Sequence, residues 1–96
     1  MAKLTWTSEA VTSIRDLYQS IARDRPETAL RTMESIFNKV DSLVEYPDLG
    51  QPYNYGPSRH DIRVLQYGNF KIVYLVELSS DVVVLGVFHG LIFLPL

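Results

Sequence analysis

The chain has 96 residues, 47% of them hydrophobic, with nine Lys and Arg against eleven Asp and Glu, two His and no Cys. That length holds one domain with a single modest core, burying about two-thirds of its unfolded surface. The lack of cysteine excludes a disulfide framework, a thiol nucleophile and a cysteine-based zinc site. A net charge of −2 argues against a protein that holds nucleic acid mainly by neutralising phosphates.

The opening Met1–Trp6 lacks the roughly 7–15-residue apolar run of a secretory signal, so a cytoplasmic location is expected. From Val82 to Leu96 the only strongly polar side chain is His89. This stretch is shorter than the roughly 18–20 apolar residues of a membrane span, and Gly86, Gly90 and Pro95 interrupt it. It reads as a buried strand followed by an apolar tail.

Lys3–Trp6 alternates polar with apolar residues and predicts a first strand. Thr7 or Ser8 then offers a helix N-cap, with Glu9 in the first turn where the helix dipole favours a carboxylate. Ala10, Val11, Ile14, Leu17, Tyr18, Ile21 and Ala22 follow at helical spacing. Asp24 is placed to cap a second helix, with Pro26 in its first turn and Glu27 completing a capping-box-like arrangement. Its apolar stripe is Ala29, Leu30, Met33, Ile36, Phe37, Val40, Leu43 and Val44, and Tyr46-Pro47 stops it. Two such helices with a very short connection form an antiparallel hairpin.

Residues 47–60, with three prolines, two glycines, Tyr53 and Tyr55, read as a long ordered loop. Asp61–Tyr67 and Phe70–Leu78 flank Gly68-Asn69, a two-residue link that closes a tight hairpin. Pairing outward from it sets Tyr67 opposite Phe70, Leu65 opposite Ile72 and Arg63 opposite Tyr74, all on one face with Val76. That bulky face is assigned to the helices. The other face, with Ile62, Val64, Gln66, Lys71, Val73, Leu75 and Glu77, is the wetter one. Ser79-Ser80-Asp81 turns the chain into Val82–His89, an almost wholly apolar, central strand. The fold class expected is α+β: an N-terminal strand and an antiparallel helical hairpin packed on one face of a three- to four-stranded, mainly antiparallel sheet.

Enzymatic signatures are missing: the sequence has no Walker loop, GxGxxG, GxSxG or HExxH. His60 and His89 lie in different elements without carboxylates at metal-ligand spacing, so neither metal nor cofactor is expected. From residue types alone the chain is an α+β domain without assigned chemistry.

The order of elements says more. The helical hairpin ends in Leu43-Val44-Glu45-Tyr46-Pro47-Asp48-Leu49-Gly50, an L-x-x-Y-P-x-x-G stretch. Arg63 through Tyr74 reads R-x-x-x-x-G-x-F-x-I-x-Y, and the last strand ends in Val87-Phe88-His89-Gly90. This ordered combination, spread over residues 3–90, resembles the RelE/ParE toxin superfamily. The resemblance implies a toxin of a type II toxin–antitoxin module, neutralised by a cognate antitoxin whose C-terminal segment folds over it.

RelE-like members of that superfamily are ribosome-dependent mRNA endonucleases and ParE-like members poison DNA gyrase. Metal-free RNA cleavage needs basic residues and a general acid or base. Lys71, before Ile72-Val73-Tyr74, stands where RelE-like members place an arginine, but lysine lacks the bidentate guanidinium fork. His89 matches a position of a catalytic histidine or arginine, where its imidazole would serve as general acid. Arg59 and Tyr53 complete the nuclease candidates. Against them, the loop after Pro47 has no lysine, no basic run follows His89, the pI is about 5.5, and Asp61 and Glu77 oppose phosphate locally. The balance favours a non-enzymatic, ParE-like gyrase inhibitor without strong direct DNA binding. The ending Gly90–Leu96, GLIFLPL, departs from the polar, basic tail of many ParE-like chains. That departure motivates a third reading, a degenerate toxin that retains only antitoxin binding. Candidates for partner contact are Lys71, Gln66, Glu77, His89, Leu91, Ile92 and Phe93. Arg63 and Tyr74 are assigned structural roles, with Arg63 expected to pair with a carboxylate or loop carbonyl. Trp6, Tyr67 and Phe70 are read as core.

Overall fold

The computed structural model describes residues 2–53 and 61–90. Strand β1 (Leu4–Trp6) leads into helices α1 (Ser8–Ala22) and α2 (Pro26–Ser42), followed by strands β2 (Gln51–Pro52), β3 (Asp61–Tyr67), β4 (Phe70–Val76) and β5 (Val82–His89). The strands form one sheet in the order β1-β5-β4-β3-β2. Pairing is antiparallel except between β1 and β5, where Leu4, Thr5 and Trp6 lie beside Val82, Val83 and Val84 in parallel. The two helices connect β1, at one edge of the sheet, to β2, at the other. The sheet has five strands, one more than the upper count expected from sequence. The addition is β2, a two-residue strand inside the segment read as loop, paired through Gln51 and Pro52 with Val64 and Arg63.

The N-cap of α1 is Thr7, whose hydroxyl accepts from the Ala10 N–H at 3.0 Å and donates to the Val84 carbonyl at 3.2 Å. One side chain therefore satisfies a helix start and ties it to β5. The cap of α2 differs from expectation. Arg25, not Asp24, is its N-cap and makes no side-chain capping bond, with Pro26 in the first turn. A prolyl nitrogen has no N–H to satisfy, so this helix end tolerates the loss of a cap.

The β3–β4 hairpin has the register read from its turn, with Tyr67 opposite Phe70, Leu65 opposite Ile72 and Arg63 opposite Tyr74. Gly68 has φ +59°, which a two-residue turn needs at its first central position and glycine supplies without strain. The strand after it ends at Val76, two residues before Leu78, which is fully exposed. Glu77 opens the following turn by accepting from the Ser80 N–H at 2.8 Å.

Both helices cover one sheet face. Ile14 and Leu17 of α1, Met33, Ile36 and Val40 of α2, and Leu43 meet Ile72, Tyr74, Val82, Val84 and Val87 in one core. Trp6, Leu65, Tyr67, Phe70 and Val76 pack at its margin. Val11, Leu30 and Phe37 belong to the helical stripes by spacing but remain exposed, because the stripes are broader than the surface one sheet covers. Across the sheet, Val73 is buried while Gln66 and Glu77 are exposed. In β5 the register shifts opposite Val73 and Tyr74, which pair with Gly86 and Val84 and leave Leu85 as an extra residue. A Cβ on Gly86 would lie 2.5 Å from the Phe88 ring, which folds over it.

Candidate functional site

Two assemblies around β3 and β4 involve residues singled out in the sequence. The first lies where the chain leaves α2. Tyr74 is buried in the core with its phenol reaching the segment 47–50. That hydroxyl donates to the Pro47 carbonyl at 2.7 Å and accepts from the Gly50 N–H at 2.8 Å. Arg63, its cross-strand neighbour, donates through Nη1 to the Gly50 carbonyl at 2.9 Å and through Nε to Asp61 Oδ1 at 3.1 Å. Burial pushes the Tyr74 pKa above its usual 10.0, offset in part by the Gly50 N–H and the Arg63 charge. The phenol is thus a neutral clamp at physiological pH, not a base. Gly50 leaves room for it: a Cβ there would sit 2.8 Å from the Tyr74 hydroxyl.

The second assembly is the turn end of the hairpin. His89 pairs with Phe70 and is exposed, its ring centroid 5.3 Å from that of Phe70 at a tilt of 47°. His89, Gly90, Gln66 and Asn69 border an open cleft of about 390 Å³. Gln66 also borders a second cleft, of about 450 Å³, with Leu49, Gln51, Pro52, Tyr53 and Val64. The Gln66 amide is engaged, donating to the Gly68 carbonyl at 2.8 Å. Tyr53 is half-buried, and its backbone N–H donates to the Ile62 carbonyl at 2.7 Å.

Lys71 borders neither cleft. It pairs with Phe88, one position from the Phe70–His89 pair, and strand alternation sends its side chain to the face opposite that pair. The structure therefore brings His89 near Gln66, and Tyr53 near Gln66, but does not join Lys71 to His89. Glu77 lies one residue beyond the far end of β4. Arg59, Leu91, Ile92 and Phe93 lie outside the described residues. Among the described residues, no group of three or more His, Asp or Glu side chains is arranged to hold a metal ion. No helix among them is long and apolar enough to cross a membrane.

A third feature went unread in the sequence. A cleft of about 220 Å³ between α2 and the hairpin is lined by Thr28, Arg31, Thr32, Ser35, Tyr67 and Phe70. The hydroxyls of Ser35 and Tyr67 are hydrogen-bonded across it, and Lys39 Nζ stands 5.7 Å from the Tyr67 ring centroid. The signal lay in the i, i+4, i+8 spacing of Arg31, Ser35 and Lys39 along one helix face.

Residues 4–91 match the family of ParE toxins of type II toxin–antitoxin systems of the parDE kind. The chain belongs to the ParE toxin family. Y4kP of Sinorhizobium fredii, whose name classes it with toxins, is 29% identical over 88 residues, covering 92% of this chain and 88% of that one. The fold is similar to a structure from the chromosomal ParDE toxin–antitoxin system of P. aeruginosa. The TM-score is 0.77 at 22% identity, over 95% of this chain and 98% of that one. It is also similar to a chain of the toxin–antitoxin complex RelBE2 of Mycobacterium tuberculosis, with a TM-score of 0.60 at 18% identity over 92% and 96% of the two chains. The α+β fold and the family expected from the ordered segments both hold. In this ParE-family toxin the quoted Tyr-Pro-x-x-Gly stretch and the arginine and tyrosine of the hairpin form one hydrogen-bonded unit, since Tyr74 and Arg63 both bind Gly50.

Proposed function

We propose that this ParE-family toxin acts on a protein target, inhibiting DNA gyrase without chemistry of its own, and is neutralised by a cognate antitoxin. The observation that carries the reading is the separation of Lys71 from His89. Strand alternation projects their side chains from opposite faces of the sheet, which argues against one phosphate bridging them. A net charge of −2 adds no general attraction for ribosomal RNA. Antitoxin binding is supported by the family match and by neighbours that come from toxin–antitoxin systems. Lys71, Gln66, Glu77 and His89, with Leu91, Ile92 and Phe93, are the proposed partner contacts.

One observation favours a RelE-like endonuclease as the second reading. His89 is exposed beside a cleft where an imidazole can reach a ligand. A single experiment separates the two. Wild-type protein and a variant with Lys71 and His89 both replaced by alanine are expected alike to leave ribosome-bound mRNA uncut at equal soluble expression. Ribosome-dependent mRNA cleavage by the wild type, lost in this double variant, would contradict the gyrase reading.

A further inference from the structure

The cleft between α2 and the β3–β4 hairpin is rich in hydroxyl side chains and carries one arginine. Three residues with short hydroxyl side chains (Thr28, Thr32 and Ser35), Tyr67 and Arg31 line it, with Ile36 and Phe70 as apolar wall. No carboxylate lines it. Glu27 and Glu34 are on the same helix but outside the cleft. Arg31 is exposed and makes no ion pair among the described residues. Lys39 adds a second cation one helical turn beyond Ser35, over the face of Tyr67. The Ser35–Tyr67 hydrogen bond links the two walls, so the cleft exists before anything enters it.

We propose that this cleft receives a carboxylate-bearing segment of the antitoxin, with its acidic side chain on Arg31 and a neighbouring apolar side chain against Phe70. The inference rests on the reading that a cognate antitoxin binds this chain, and adds where and by what chemistry. Arginine presents a fork that matches a carboxylate in two parallel hydrogen bonds, and the flanking hydroxyls accommodate the remaining lone pairs. A preformed cleft lowers the ordering cost for a segment that folds on binding. A peptide suits the site better than single-stranded RNA. Bases need open aromatic faces to stack on, whereas Phe70 is already against the His89 ring and Tyr67 carries Lys39 on its face.

The test is titration of the purified product of the adjacent antitoxin gene into wild-type toxin and three variants at low and high salt. Thermal melting first establishes that each variant is folded. Arg31→Glu is expected to weaken binding by about tenfold or more and to flatten its salt dependence. Thr28→Trp, which fills the cleft without changing charge, is expected to weaken binding comparably at both salt concentrations. Arg15→Glu, an exposed charge on α1 away from the cleft, is expected to change affinity less than about twofold. Wild-type affinity in both Arg31→Glu and Thr28→Trp would overturn the proposal and leave antitoxin binding standing. No complex with wild-type toxin would overturn the antitoxin reading itself. Arg31-dependent binding of a single-stranded RNA oligonucleotide, with an unchanged antitoxin titration, would assign the cleft to RNA instead.

Discussion

Removing one oxygen from Tyr74 tests how the segment after α2 is held. In Tyr74→Phe the ring still fills its place in the core, and only the hydroxyl between the Pro47 carbonyl and the Gly50 N–H is lost. Gly50 is buried, so its N–H is left without a partner, at about 1–3 kcal/mol. The bond to the more accessible Pro47 carbonyl adds about 0.5–1 kcal/mol. The sum is about 1.5–4 kcal/mol. With a urea m-value of about 1 kcal/mol/M for a small domain, the unfolding midpoint should fall by about 1.5–4 M at unchanged slope. Tyr67→Phe is the control. Among the described residues its hydroxyl meets only the Ser35 hydroxyl, in a partly exposed place where water can replace it, so the expected loss is about 1 kcal/mol or less. The pH dependence gives a second readout. The folded-state pKa of Tyr74 is raised above 10.0, so its contribution to stability is fully present below pH 10 and is lost as pH rises through the folded value. That alkaline loss should be smaller in Tyr74→Phe. Equal small shifts in the two variants, or an alkaline profile unchanged by Tyr74→Phe, would refute the clamp.

Three further outcomes are expected. Gly50→Ala should cost about 2 kcal/mol or more by thermal unfolding, because its Cβ would lie 2.8 Å from the Tyr74 hydroxyl and 3.1 Å from the Val64 backbone carbon. Ser13→Ala should cost about 1 kcal/mol, because the Ser13 hydroxyl accepts from the Val87 N–H at 3.0 Å and nothing else described meets that donor. Asp81 accepts from the Lys3 N–H, which holds its carboxyl below the usual 3.8, so its contribution is present above that value and lost as pH falls through the lowered one. Acid titrations of unfolding should show this loss in the wild type and less of it in Asp81→Asn.

The hairpin was legible because it is local. Gly68-Asn69 fixed the turn, the turn fixed the register, and alternation then assigned Leu65, Ile72 and Tyr74 to the helix-covered face. The helices were legible in their buried positions, since Ile14, Leu17, Met33, Ile36 and Val40 carry the period. Their exposed members were not, because spacing does not say how wide a contact will be. β2 was hidden because two residues, one a proline, show no alternation; its pairing is imposed by β3. The parallel β1–β5 match joins residues some eighty positions apart, which no local pattern encodes. Gly86, inside an apolar strand, was the available sign of the irregularity that separates Val84 from Gly86 in the pairing with β4. At the candidate site, the sequence assigns Lys71 to the wetter face of the hairpin as a charge-stabilising cation and His89 to the end of the last strand as a general acid, with no sequence signal relating the two. Only the register showed that their side chains leave opposite faces of the sheet.

The most direct test of the proposed function is incubation of the folded protein with gyrase, ATP and relaxed plasmid, following supercoiling and broken DNA on a gel. The expected result is blocked supercoiling with accumulating cleaved plasmid, suppressed when the antitoxin is added first. Normal supercoiling at protein concentrations that arrest growth, with no cleaved plasmid, would contradict the gyrase assignment.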